Sequence, residues 1–114
     1  MYDRRVATGT LERLEDRLAD LCGHRNVLDA RLVELVAEAL ATGEWQMSGI
    51  VSPAHWLSWK AGLSTGHARQ LVTLARRRSE LPVTFAAFDA GQLSLDQVAP
   101  IVARAPRWAD ARSP

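Results

Sequence analysis

Leucines recur along the first half of the chain at alternating spacings of three and four residues. This spacing occupies the a and d positions of a heptad repeat, with Arg25 at one of the a positions. The series is Leu11, Leu14, Leu18, Leu21, Leu28, Leu32 and Leu35, extended by Ala39. Side chains at these positions form one stripe along a helix, so the pattern predicts helix over residues 10–42, ended by Gly43. Because Gly23 and Asn26 can interrupt a helix, we expect either one long, kinked helix or two nearly collinear helices.

Residues 52–79 are predicted to form two helices joined by a tight turn. Ser52 is a typical N-cap followed by proline, and Gly62 ends this helix. Ser64 then caps a second helix, which ends near residue 79 because Pro82 follows. A helix, a short turn containing glycine and a second helix together resemble a helix-turn-helix.

Two short helices are expected in residues 83–105. The first is closed by Gly91, and the second begins with the capping-box sequence "SLDQ" at residues 94–97. Pro100 removes one backbone donor, so we expect a kink or fraying there. The last ten residues, "APRWADARSP", have the composition of a frayed tail.

The sequence therefore predicts an all-α fold, since no stretch alternates with a period of two. A chain of 114 residues suits one domain. Within residues 1–114 we expect a long N-terminal helix or helix pair, packed on a helix-turn-helix-like hairpin plus two short C-terminal helices. The single Cys22 excludes an internal disulfide, no apolar run has the length of a membrane span, and the stretch "MYDRRVATGT" lacks the apolar segment typical of a signal peptide. A cytoplasmic location is the expectation.

Charge is segregated along the chain, although the net charge is only +1. Residues 1–44 carry six arginines and nine acids, and residues 80–114 carry three arginines and four acids. Residues 45–79 carry five basic residues and no acid. Such a basic segment favours contact with an anionic partner.

The second hairpin helix is amphipathic on a helical wheel. Its polar face carries residue types that bind phosphates or base edges. The predicted DNA-facing set is Arg69, Gln70, Thr73, Arg76 and Arg77, flanked by Lys60. The alternative is an ordinary solvated face, because arginines at a helix C-terminus also complement the helix dipole.

Trp56 and Trp59 lie nearly opposite the small apolar face of the first hairpin helix. We expect both indoles to pack against the long helix, because aromatic side chains bury large areas. The alternative is stacking on a partner, which would need them exposed.

The residues show no pattern of a catalytic or metal centre. Cys22 and His24 lack the second ligand pair of a zinc site, and no phosphate loop, nucleophile elbow or paired carboxylate site is present. We therefore expect no metal, no cofactor and no enzymatic activity.

Three separated blocks resemble the actinobacterial 13E12-repeat family: "LCGHRNVLDARLVELVAEA", "SPAHWLSWKAGLSTGHAR" and "LPVTFAAFDAGQLSLDQVAPIVARAPRWAD". The resemblance covers about residues 10–110. It implies a helical domain of unknown function that, in longer members, precedes a metal-dependent HNH endonuclease domain. This sequence contains no HNH module, and it stops at Pro114, before we expect the family's helical domain to be complete.

Three function classes remain open from the sequence, and the absence of a catalytic pattern counts against the third, an enzyme in its own right. The first is a non-catalytic module that binds double-stranded DNA and positions a nuclease, which the basic hairpin favours. The second is a dimerisation or protein-interaction module without DNA binding. The leucine series favours this second function, and we expect a homodimer formed through Leu11, Leu14, Leu18 and Leu21.

Overall fold

Every regular element is helical in the part of the chain that the computed structural model describes, residues 4–110. The elements are α1 (Arg4–Thr42), α2 (Pro53–Ala61), α3 (Thr65–Arg77), a 3₁₀ turn (Arg78–Glu80), α4 (Pro82–Asp89), α5 (Leu95–Arg104) and α6 (Arg107–Asp110). The predicted all-α fold is confirmed.

The first helix, α1, is continuous across the predicted break. It runs from Arg4 to Thr42, and Gly23 and Asn26 are both helical. Tertiary contacts hold this region, because Asn26 Nδ2 donates a hydrogen bond to the carbonyl of Gly91 at 3.1 Å. Gly91 has a φ of +79°, and a Cβ atom there would lie 2.9 Å from Val27 Cγ2. The turn between α4 and α5 therefore needs glycine in order to approach α1.

The hairpin is built by the capping interactions that the sequence predicts. Ser52 Oγ accepts a hydrogen bond from His55 N, and Ser64 Oγ accepts one from His67 N. Between the two helices, Gly62 adopts a left-handed conformation with φ of 69°. The capping box of α5 forms as predicted, and α5 continues as a helix through Pro100 to Arg104.

The core lies around α3, which packs against α1, α2 and α5. Ala68, Leu71, Val72, Leu74 and Ala75 of α3 are all buried. Ala30, Val33 and Val36 of α1 face them, together with residues of α4 and α5 such as Phe85, Phe88, Val98 and Val102. The prediction that α3 turns its apolar face towards the long helix and the preceding helix is confirmed.

The C-terminal residues that the structure describes are ordered by a buried carboxylate. Asp110, in α6, accepts hydrogen bonds from Val83 N at 2.7 Å and from Thr84 N at 2.8 Å. Thr84 Oγ1 donates a further hydrogen bond to it at 2.6 Å. Asp110 thereby caps the N-terminus of α4, so the expected fraying is wrong for residues 107–110, and residues 111–114 lie outside the described part.

Candidate interaction surfaces

The leucine series lies on the side of α1 that faces away from the core. Six of its members expose between 52% and 65% of their surface: Leu11, Leu14, Leu18, Leu21, Leu28 and Leu35. We call these six residues the leucine stripe. The core-facing side of α1 consists instead of Asn26, Ala30, Val33, Val36, Ala37 and Leu40. The hairpin therefore does not cover the stripe.

The N-terminal half of α1 is poorly packed where the structure describes its side chains. All residues from 10 to 21 are exposed, and burial on α1 begins only at Asn26. Isolated helices of this length are only marginally stable in water, because most helical stability in proteins comes from packing. A partner on this half of α1 would supply the missing packing.

Arg25 interrupts the leucine spacing, but its charged end is turned towards the core side of the helix. Its Nη2 lies 3.4 Å from Asn26 Oδ1, and the side chain lines a cleft together with Asp29 and His67. Its aliphatic stem is therefore the part closest to the stripe, as long basic side chains commonly arrange themselves.

The basic face of α3 is smaller than the sequence predicts. Arg69, Thr73 and Arg76 are exposed and share one side of the helix. Neither arginine forms an ion pair with any residue in the described part of the chain. We call these three residues the α3 stripe.

Arg77 and Arg78 are instead partly buried and engaged in hydrogen bonds within the molecule. Arg77 Nε donates to Glu80 Oε2 at 2.9 Å, and its Nη1 donates to the carbonyl of Val102. Arg78 binds both carboxylate oxygens of Asp89, at 2.9 and 2.6 Å. The hydrogen bond with Asp89 raises the pKa of Arg78 further above its ordinary value. These two guanidinium groups join α3 and the 3₁₀ turn to α4 and α5, so they are already engaged.

Gln70 is separated from the α3 stripe as well. It lines the cleft between α1, α3 and the start of α5, which has a volume of about 520 Å³ and contains Asp29, His67 and Asp96. Burial raises the pKa of the Asp29 carboxyl group, although the nearby charges of His67 and Arg25 act to lower it. The carboxyl groups of Asp29 and Asp96 offset the basic side chain of Arg25 in this cleft, so Gln70 does not lie on a uniformly basic surface.

Trp59 is exposed, so the prediction that both hairpin indoles pack against the long helix is wrong for this residue. Leu57 is the buried side chain of α2, and Trp56 is partly buried beside the core. Trp59 projects away from the core, and Lys60 Nζ lies 4.3 Å from its ring centroid. Lys60 itself is exposed at the end of α2 and is available to an anionic partner.

Neither a metal-ligand cluster nor a membrane-spanning helix is found among the described residues. No group of three or more His, Cys, Asp or Glu side chains is arranged to hold a metal ion there. No helix in that part is long and apolar enough to cross a membrane.

A comparison with protein families gives one match. The family model described as "Domain of unknown function (DUF222)" matches residues 15–113, which is most of the chain. This match names neither the 13E12 repeats nor an HNH module. No curated protein and no solved structure matches the chain.

Proposed function

Because this chain belongs to the DUF222 family, whose description assigns no activity, we propose from its geometry that it is a homodimerisation module. Two copies associate through the leucine stripes of their α1 helices. The observation that carries the proposal is the exposure of six leucines at a and d positions on a helix whose other apolar face, at Ala30, Val33 and Val36, is buried in the core. The proposal gives the chain no catalytic role.

The spacing of the stripe favours a second copy of the same helix as the partner. Leucines that repeat every 3.5 residues stay in contact over a long distance only with a helix of the same periodicity. From Leu11 to Leu35 the stripe runs for about 36 Å at the usual helical rise of 1.5 Å per residue. Burying one leucine side chain contributes roughly 1.5–3 kcal/mol, so six leucines on each chain can offset the cost of association.

Charges beside the stripe favour a parallel arrangement. In the antiparallel register that pairs Leu11 with Leu35, Arg17 of one chain faces Arg31 of the other, and Glu15 faces Asp29. Both are like-charge pairs, which are unfavourable at these positions. In a parallel arrangement, the g positions of one chain face the e positions of the other across the seam. None of these facing pairs carries like charges, and His24 of one chain faces Asp29 of the other.

Circular dichroism across a range of protein concentrations tests this function. Dimerisation should increase helicity with concentration, because residues 10–21 gain packing that the monomer does not provide. The variant Leu18→Glu/Leu28→Glu should show lower helicity that does not change with concentration. The matched control Glu12→Gln/Asp16→Asn alters exposed positions outside the stripe and should behave as the parent. Helicity of the parent that is independent of concentration would contradict the proposal.

A second candidate function is weak binding of double-stranded DNA by the hairpin. The α3 stripe and Lys60 are exposed on a segment without acids, which supports this candidate. Arg77 is withdrawn from the predicted contact set because its guanidinium group already donates hydrogen bonds to Glu80 and to the Val102 carbonyl. Gln70 is withdrawn because it lines the cleft with Asp29 and Asp96, away from the α3 stripe.

The two functions are compatible. Helix-turn-helix proteins commonly dimerise so that two recognition helices meet two half-sites. In this account the dimer supplies two copies of the α3 stripe, and in longer proteins of the kind suggested by the 13E12 resemblance it would position a nuclease domain on DNA.

A further inference from the structure

A pocket lies where the end of α1 meets the following loop and α2. Gly43, with a φ of +72°, reverses the chain after α1, and Gly43 N donates to the carbonyl of Ala39 at 2.9 Å. This turn brings Glu44 and Trp45 back beside the last turns of the helix. The resulting pocket has a volume of about 330 Å³, and its walls include Leu35, Glu38, Thr42, Glu44, Trp45 and Trp56.

The lining of this pocket combines aromatic and acidic side chains. Two indoles and two carboxylates line it, and no basic residue does. Neither Glu38 nor Glu44 forms an ion pair with a basic residue in the described structure, whereas Glu80 and Asp89 do. The pocket therefore combines a negative rim with aromatic walls.

The described cation–π contacts occur elsewhere in the molecule. Lys60 lies over Trp59 at 4.3 Å, and Arg78 lies 5.6 Å from the ring centroid of Phe85. Within the described part of the chain, no lysine or arginine stacks on Trp45 or Trp56. Trp45 and Trp56 thus lack, within the described residues, the cation contact that Trp59 has.

We propose that this pocket binds an arginine side chain from a protein partner. A guanidinium group is planar, stacks on aromatic rings and pairs with carboxylates through several donors. Trp45 and Trp56 supply the rings, and Glu38 and Glu44 supply the acceptors. The charge complementarity selects a basic segment as the occupant.

The test uses N-acetyl-arginine amide as the probe and N-acetyl-citrulline amide as its neutral isostere. The four tryptophans of the chain give four indole N–H signals in a two-dimensional NMR spectrum of the full chain. The arginine probe should shift the signals of Trp45 and Trp56 saturably in the millimolar range, and should leave that of Trp59 nearly unchanged. The citrulline probe should bind at least about tenfold more weakly.

A pair of variants assigns the effect to the carboxylates. Glu38→Gln/Glu44→Gln should weaken the arginine probe at least about tenfold, while the control Glu12→Gln/Asp16→Asn retains it. Equal binding of arginine and citrulline, or no saturable shift of Trp45 and Trp56, overturns the proposal. If a variant fails to fold, the comparison of the two probes on the parent still decides. The same titration on Leu18→Glu/Leu28→Glu shows whether arginine binding depends on dimerisation, because this variant disrupts the leucine stripe but changes no residue of the pocket.

Discussion

Leu35 and Val36 are adjacent in the chain but lie on different faces of α1, about 100° apart around the helix axis. Leu35 is 52% exposed, and Val36 is fully buried against the core. The same division continues along the helix, where Leu28 is exposed and Ala30 is buried. One apolar side of α1 therefore builds this domain, and the other side is available to a second chain.

Replacing Arg25 by leucine should strengthen self-association. Arg25 occupies an a position, where it interrupts the apolar seam of a parallel dimer and places one charged residue of each chain beside that seam. Arg25→Leu removes this charge and continues the apolar seam, so the dissociation constant should fall at least about tenfold, since burying a leucine contributes roughly 1.5–3 kcal/mol. Sedimentation of the parent and the variant measures the change, with Arg13→Leu as a control outside the stripe. A variant that associates more weakly than the parent would show that Arg25 does not lie in the seam.

The parallel orientation can be tested by cross-linking. In a Cys22→Ser background, Leu18→Cys places one thiol at an a position, where the two copies of residue 18 face each other in a parallel dimer. Mild oxidation should convert most of the protein to a disulfide-linked dimer on a non-reducing gel. Lys60→Cys in the same background is the control and should remain largely monomeric. Efficient cross-linking only when Leu18→Cys is mixed with Leu28→Cys would indicate the antiparallel arrangement instead.

The arginines at the end of α3 should separate into two classes by thermal unfolding. Arg77→Ala leaves Glu80 and the Val102 carbonyl without their donor, and should lower the free energy of unfolding by about 1–2 kcal/mol. Arg69→Ala/Arg76→Ala changes exposed residues and should cost less than about 0.5 kcal/mol per site. If both variants lose the same free energy of unfolding per site, Arg77 does not differ from the exposed arginines Arg69 and Arg76 in its contribution to stability.

The DNA-binding candidate predicts a defined salt dependence. Arg69, Arg76 and Lys60 would give about three phosphate contacts per chain, so log K should fall with log[salt] with a slope near −3 for each bound chain. Gel-shift titrations of the parent with duplex DNA measure it. Arg69→Ala/Arg76→Ala should remove most binding, while the charge-matched control Arg13→Ala/Arg104→Ala should not. Equal losses for the two variants would attribute any binding to overall charge rather than to the α3 stripe.

Acid should weaken the attachment of α6 through Asp110. Burial alone would raise the pKa of Asp110, but hydrogen bonds from Thr84 and Val83 outweigh it and hold the pKa below its ordinary value of 3.8. A lowered folded-state pKa stabilises the fold above the unfolded-state pKa, and this stability is lost as the pH falls through the folded-state value. The melting temperature of the parent should therefore exceed that of Asp110→Asn by a constant amount above about pH 5. The difference should shrink below pH 3.8, and a difference independent of pH would contradict this role.

Local signals in the sequence predicted the helix boundaries well. Ser52, Ser64 and Ser94 each cap a helix by accepting a hydrogen bond from the backbone N–H three residues later. Gly62 ends the first hairpin helix by adopting a left-handed backbone conformation. Interactions of this kind depend on neighbouring residues, so they can be recognised in the chain itself.

The sequence could not reveal which side of α1 faces the core. Leu35 and Val36 belong to two stripes with helical periodicity, and small residues such as Ala30 permit the closer approach of α3. The roles of Arg77 and Asp110 were missed for a related reason. Their partners, the Val102 carbonyl and Thr84, lie 25 and 26 residues away, so only the folded structure brings them together.

Sedimentation equilibrium of the parent chain tests the central claim most directly. Measured from low micromolar to several hundred micromolar concentration, the parent should show a reversible monomer–dimer equilibrium. Leu18→Glu/Leu28→Glu should sediment as a monomer throughout, and Glu12→Gln/Asp16→Asn should match the parent. A parent that remains monomeric over the whole range, or a stripe variant that dimerises as the parent does, would contradict dimerisation through the leucine stripe.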